Sequence, residues 1–255
     1  MHFERRNKNR NLDNYPRQLK ETVEKSLYYS LSFHTMHTQI LATVLKRMGN
    51  IHGKKVVFVG GGEGNEILYI KNNSKDFYAV NLDINLKRLR ICKYYFRDIN
   101  IQCTPVLGDG MSLPFKNSIF DIVFLINSAH HMDSMELCLR ESLRIGKIVC
   151  IVDRRKCFIS KIGRRLGLIK PDYDGYYTNE IDVKWFFKFI KDSSNVKLVY
   201  LKYHFFLLLY VNKTIHDLIN RYRPLCYVYI LLVKILNLFF GFLGNGIIVV
   251  LSKSV

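Results

Sequence analysis

The sequence predicts an α/β fold: an open, mostly parallel sheet of about seven strands flanked by helices, with an N-terminal helical cap and a hydrophobic helical insertion before the last strand. Three observations predict it. Short apolar runs alternate with segments of helical period, as in successive βαβ units. A glycine-rich turn, Val59-Gly60-Gly61-Gly62-Glu63-Gly64-Asn65, follows the first run and opens a helix. A single carboxylate, Asp83, ends the second run.

Residues 17–48 read as helix, because Leu19, Val23, Leu27, Leu31, Ile40, Leu41, Val44, Leu45 and Met48 recur near helical spacing before Gly49 and Gly53. Residues 56–59 are wholly apolar and stop at glycines, as a strand buried on both faces does. A helix over 65–71, a strand over 77–82, a helix over 86–96 and a strand over 101–107 follow. The next strand is 121–126, the next helix 134–143, and the fifth strand 147–152. Beyond residue 153 the pattern loosens into a basic stretch with Arg154, Arg155, Lys156, Lys161, Arg164 and Arg165. Thr178-Asn179-Glu180 reads as a helix start ahead of Trp185, Phe186, Phe189 and Ile190. A strand over 196–211, an apolar segment over 225–243 interrupted by Lys234 and Asn237, and a last strand over 246–251 complete the chain. The expected organisation is a basic tail and capping helices over 1–53, a cofactor-binding core over 54–153, and a C-terminal half over 154–255 that completes the sheet and carries the insertion at about 213–244.

Composition narrows the functional classes. The chain has 39 Lys and Arg against 21 Asp and Glu, a net charge of +18, which favours anionic neighbours such as nucleic acid, acidic lipid or a phosphorylated substrate. No two of its six cysteines form a CxxC pair, so neither a zinc site nor a thioredoxin-like motif is expected, and no metal is. Unpaired cysteines in apolar segments point to a reduced, cytoplasmic compartment. The basic N-terminus lacks the apolar stretch of a secretory signal.

The glycine turn carries the chemistry. Glycines let the backbone turn sharply and approach a ligand, and the helix that follows offers free N–H groups. A dinucleotide fold requires G-x-G-x-x-G, but starting at Gly60 the third glycine is replaced by Asn65. The spacing that fits is G-x-G-x-G at Gly60, Gly62 and Gly64, which suits a nucleoside without a pyrophosphate. Asp83, 19 residues past Gly64, is placed to accept both ribose hydroxyls. Gly108-Asp109-Gly110-Met111 follows the third strand, where Asp109 can accept from an exocyclic amine and Met111 or Leu113 can cover the ring.

Residues 54–153 resemble the core of the class I S-adenosylmethionine-dependent methyltransferases, with their Rossmann-like sheet, and in particular the ubiquinone/menaquinone-methyltransferase-like (type 11) group. The resemblance is carried, in order, by Val56 to Gly64, Val80 to Asp83, Gly108 to Phe115 (GDGMSLPF), Phe120 to Met132 (FDIVFLINSAHHM) and Glu141 to Asp153. It implies S-adenosyl-L-methionine as cofactor. The methionine part would meet Gly60, Gly62 and Gly64, the ribose Asp83, and the adenine Asp109 and Met111. Ile84 and Gly110 complete these contacts, and Asn127 lines the methyl-transfer site. One departure stands out: the family carries Asp or Glu two residues before the first glycine, where this chain has Phe58. Glu63 or Glu66 is close enough in sequence to substitute. The family's Pro-Gly-Gly turn before the fifth strand is reduced to Gly146.

Methyl transfer from a sulfonium needs alignment and, for a hydroxyl nucleophile, a base near neutral pKa. His131 and His130, just past the fourth strand, are the candidates; His34 and His37 on the capping helix are further ones. Residues 225–243 would just cover a ~30 Å bilayer core as a helix, but Lys234 at the centre opposes crossing. A helix packed on the domain or lying in the interface is expected instead. The expected acceptor is a small molecule, lipid-linked or saccharide, handled at an anionic membrane surface by a protein peripheral to the inner face. The alternatives are an RNA methyltransferase, which lacks any recognisable RNA-binding module here, and a non-catalytic membrane- or partner-binding protein on the same fold.

Overall fold

The computed structural model describes residues 31–73, 76–98, 100–167, 179–204 and 222–253. Five strands, β1 (Lys55–Val59), β2 (Tyr78–Asp83), β3 (Cys103–Leu107), β4 (Phe120–Ile126) and β5 (Gly146–Arg154), run parallel. β6 (Val196–His204) and β7 (Gly246–Lys253) complete a seven-stranded sheet of order β3-β2-β1-β4-β5-β7-β6, with β7 antiparallel to both neighbours. The apolar runs Val56–Val59 of β1 and Ile122–Ile126 of β4 follow from their central place, where both faces are covered.

Helices cover each face. On one lie α1 (Leu31–Met48), α2 (Asn65–Asn73) and α3 (Leu86–Asp98), which bury Leu41 and Val44, Ile67 and Leu68, and Tyr95 and Phe96 against Phe58, Phe124 and Ile248. On the other lie α4 (Met135–Ile145) and α6 (Val183–Asp192), whose Leu139, Leu143, Phe186 and Phe189 meet Val57, Val123 and Val249. α5 (Phe158–Arg165) follows β5, and α7 (Arg223–Phe240) stands between β6 and β7. α7 buries Ile230 and Val233 and packs beside α1.

Four sequence readings are corrected or bounded. The helix expected to start at 178–180 starts at Val183, with Asp182 as its cap: its carboxylate accepts from Lys184 N–H at 3.0 Å. Asn179, Glu180 and Ile181 are held by tertiary contacts instead, Asn179 N–H donating to His130 O and Ile181 N–H to Arg154 O. α5 was hidden in the basic stretch because its apolar residues face outward. Within 225–243 the helix ends at Phe240, and a 3-10 turn over Gly241–Leu243 leads to β7. The parts of the expected segments over 17–30 and 205–211 lie outside the described residues, as do the side chains of His34 and His37. No helix among the described residues is long and apolar enough to cross a membrane.

Candidate functional site

The strand order reverses between β1 and β4, and in open α/β sheets the crevice at the carboxyl ends of such strands receives the ligand. The loop after β1 fills one wall of this crevice. Gly60, Gly62 and Gly64 have φ of +69°, +53° and +83°, in the left-handed region that glycine adopts without strain. Gly61 is required for a different reason: a Cβ there would lie 2.1 Å from Asn81 Oδ1.

The loop and β2 are tied together through a carboxylate. Gly62 N–H donates to Asp83 Oδ2 and Asn85 N–H to Asp83 Oδ1, both at 2.8 Å. Each oxygen keeps a second acceptor site. Asn81 donates to Gly62 O at 2.9 Å and to Cys92 Sγ at 3.3 Å, fixing the loop from beneath. Ile84 is exposed beside Asp83 at the mouth.

The loop after β3 is held just as firmly. Asp109 Oδ1 accepts from Met111 N–H at 2.8 Å, and no described residue takes its Oδ2. Met111 Sδ accepts from Ser134 N–H at 3.3 Å, and Gly110 packs against Met132 and Val59. Arg144 donates to Leu113 O at 2.9 Å and Phe115 O at 2.7 Å, while Glu141 accepts from Leu113 N–H at 2.8 Å. Hydrogen bonds from the Arg144 guanidinium hold the Glu141 carboxyl below the usual carboxylate range.

The turn after β4 closes the crevice. Asn127 takes φ +50°, a conformation Asn tolerates, and its N–H donates to Val152 O at 2.8 Å. Ser128 faces the loop: a Cβ on Gly60 would lie 2.6 Å from Ser128 Cβ. His130 is buried and hydrogen-bonds through Nδ1 to the buried Asp153 at the end of β5, whose other oxygen accepts His130 N–H at 3.1 Å. Burial alone would raise the Asp153 carboxyl; the His130 charge and hydrogen bond, with Arg154, outweigh it and hold Asp153 below the usual range. His131 is exposed, with its ring centroid 4.1 Å from that of His130. Three buried polar atoms around the crevice, Asn81 Oδ1, Ser128 Oγ and His130 Nε2, have no hydrogen-bond partner among the described residues.

Residues 57–148 match the family profile described as a methyltransferase domain. The chain carries a class I S-adenosylmethionine-dependent methyltransferase domain. A fatty-acid O-methyltransferase of Mycolicibacterium smegmatis is 25% identical over 127 residues, covering 50% of this chain and 42% of that protein. An uncharacterised protein of Methanocaldococcus jannaschii is 31% identical over 125 residues, covering 48% and 50%. The chain thus spans half or less of the length of these curated relatives. Magnesium protoporphyrin IX methyltransferase of Synechocystis, solved with bound S-adenosylhomocysteine, shares the fold at a TM-score of 0.59 and 13% identity, covering 88% of this chain and 86% of that one.

The residues present fit the cofactor of this methyltransferase domain. The glycine loop is packed so closely that a side chain at Gly60 or Gly61 would collide with Ser128 or Asn81, whose unpartnered Oγ and Oδ1 lie beside it. Asp83 and Asp109 keep acceptor positions toward the crevice. The residues read from the sequence as cofactor contacts lie at one end of the sheet, Asp83 as the last residue of β2 and the others on the loops after β1, β2, β3 and β4. Two features lie outside that reading. Asp153 was visible only as the end of the fifth apolar run, with nothing local to tie it to His130. Phe58, in place of the family's acid, is buried and stacked on Phe124 with centroids 4.9 Å apart. Glu66, in the first turn of α2, has its carboxyl pushed up to about 7 by burial and by the repulsion of Glu63, against its own N–H and Arg88.

Proposed function

We propose that the chain transfers a methyl group to an oxygen of a hydrophobic, lipid-linked acceptor. One observation carries this reading: the glycine loop locked to Asp83 at the switch point, facing unpartnered polar atoms on the turn after β4. When bound, S-adenosylmethionine supplies an activated sulfonium methyl. Asp83 accepts the ribose hydroxyls with its remaining lone pairs, and Asp109 Oδ2 accepts the adenine amine. Gly60, Gly62 and Gly64 let the backbone close on the methionine part, with Ile84, Gly110 and Met111 around the nucleoside. Glu66 takes the place of the acid lost at Phe58 in holding the amino end.

His130 is the general base. In its neutral form the ring donates Nδ1–H to Asp153 and keeps a lone pair on Nε2 that can take a hydroxyl proton, after which Asp153 pairs with the charged ring. Asp153 is a positioning residue. His131 lies against His130 with its ring tilted, and Asn127 lines the acceptor side. Lipid-like acceptors are favoured by the fatty-acid methyltransferase relative and by the apolar surface near the site.

The test is incubation with methyl-labelled S-adenosylmethionine and a panel of fatty acids, a membrane-linked saccharide and bulk RNA. Label extracted with lipid, and lost in His130→Gln while S-adenosylhomocysteine affinity persists, is the expected result. Label in RNA alone contradicts the acceptor class.

A further inference from the structure

We propose that α5 and the turn after α7 form a docking face for an anionic bilayer, beside the acceptor end of the crevice; its purpose, delivery of a lipid acceptor, rests on the methyl-transfer reading above. α5 and its C-cap present Phe158, Ile162 and Leu166 at i, i+4 and i+8, one face of a helix. These side chains are 75%, 41% and 66% exposed. The opposite face is fastened to the protein, Ser160 Oγ hydrogen-bonding Glu180 at 3.2 Å. The stripe is therefore not a core face turned the wrong way, because the helix has a separate buried side.

A second apolar patch is tied to the same end of β5 from which α5 leaves. Phe242 is 63% exposed, and Leu243 is exposed beside it. Arg155 clips this turn to the end of β5, donating through Nε to Gly244 O at 2.7 Å and through Nη2 to Phe242 O. Its own N–H donates to Asn245 O, and Arg154 pairs with Gly246. The clip stands between Asp153 of the His130 pair and Phe158 of α5. Both patches thus hang from the carboxyl end of β5, next to the site.

Charge selects the occupant. Residues 154–167 and 222–246 contain no Asp or Glu. Among the described residues, Glu180 and Asp182 are already engaged, Glu180 with Arg164 at 2.9 Å and Asp182 with Lys156 at 3.8 Å. Lys161 and Arg165 stand exposed between the apolar side chains of α5. Apolar side chains interleaved with cations match the boundary between acyl chains and anionic headgroups. A second copy, with the same basic surface and a net charge of +18, would meet repulsion there.

The experiment is flotation of the full chain with vesicles of phosphatidylcholine, with and without phosphatidylglycerol. Binding to the anionic vesicles is expected, with partition at least about tenfold weaker for Phe158→Ser/Phe242→Ser and for Lys161→Glu/Arg165→Glu. Tyr78→Ser, at the opposite end of the sheet, should bind as the parent does. S-adenosylhomocysteine affinity, measured on each variant, should stay unchanged and reports the methyl-transfer reading separately. Partition unchanged in the two double variants overturns the proposal. So does a parent dimer that the serine variant dissociates.

Discussion

The two ends of the chain's surface chemistry differ in how their groups are partnered. Around β1 and β2, polar atoms are matched to backbone: the carboxylate of Asp83 to Gly62 and Asn85, the amide of Asn81 to Gly62. Two atoms left over, Asn81 Oδ1 and Ser128 Oγ, lie beside the glycine loop. Along α5 and α7 the unmatched groups are apolar, and they face solvent. Buried polar groups without partners are costly, and exposed apolar patches are uncommon, so each kind of mismatch marks a place where another molecule belongs. The first marks a small polar ligand, the second an extended apolar one.

Breaking the polar end should have the largest effects. Gly61→Ala drives a Cβ against Asn81 and displaces the loop, so S-adenosylhomocysteine binding should fall at least about a hundredfold, with a melting temperature lowered by a few degrees. Titration calorimetry and thermal unfolding read the two. A melting temperature and affinity like the parent's would mean that the loop has room to spare.

Asp153→Asn removes one partner of a buried pair and should cost about 3 kcal/mol in denaturant unfolding at pH 7. The sign with pH is fixed by direction. Asp153 is held below its ordinary value, so its contribution is present above that value and fades as pH falls through the lower one. The difference between parent and variant should therefore shrink in acid. A purely packing role for Asp153 would leave it constant.

Glu66 gives an effect of intermediate size and opposite sign. Its folded pKa of about 7 lies above the ordinary 4.5, so folding loses stability as pH rises between them. Glu66→Gln should melt about 3 °C or more above the parent at pH 8 and close to it at pH 4. If Glu66 replaces the missing acid at Phe58, the same variant should also lose the rise in S-adenosylhomocysteine affinity expected between pH 6 and 8.

The apolar end should be the most tolerant. Leu238→Ser on α7, where the side chain is 77% exposed, should change stability by no more than about 0.5 kcal/mol. A larger loss would show that α7 is covered in solution.

The same contrast explains what the sequence disclosed. β1, β4 and β5 are buried on both faces, so their apolar runs were unmistakable, and the glycine spacing with Asp83 could be read because it depends on backbone geometry close in sequence. Asp153 and His130 lie 23 residues apart and meet only because β4 and β5 are neighbours. Among its described residues α5 has no core-facing apolar stripe to mark it in the sequence, because its periodic residues are exposed and interleaved with cations. The helix start moved to Asp182 because Asn179 and Ile181 give their N–H groups to His130 and Arg154, contacts with no local signature. Phe58 was legible as a departure, but only the stack on Phe124 shows that the acid's place is filled by core.

The central claim is that the crevice between β1 and β4 holds the methyl donor through Asp83. Calorimetric titration with S-adenosylhomocysteine, on the parent and on Asp83→Ala, tests it most directly. Micromolar binding to the parent is expected, weakened at least about tenfold in the variant, since hydrogen bonds to a charged group contribute roughly 1.5–3 kcal/mol. Absence of binding to the parent at millimolar ligand would contradict it, and would make Phe58 the mark of a fold that has kept its sheet and given up its cofactor.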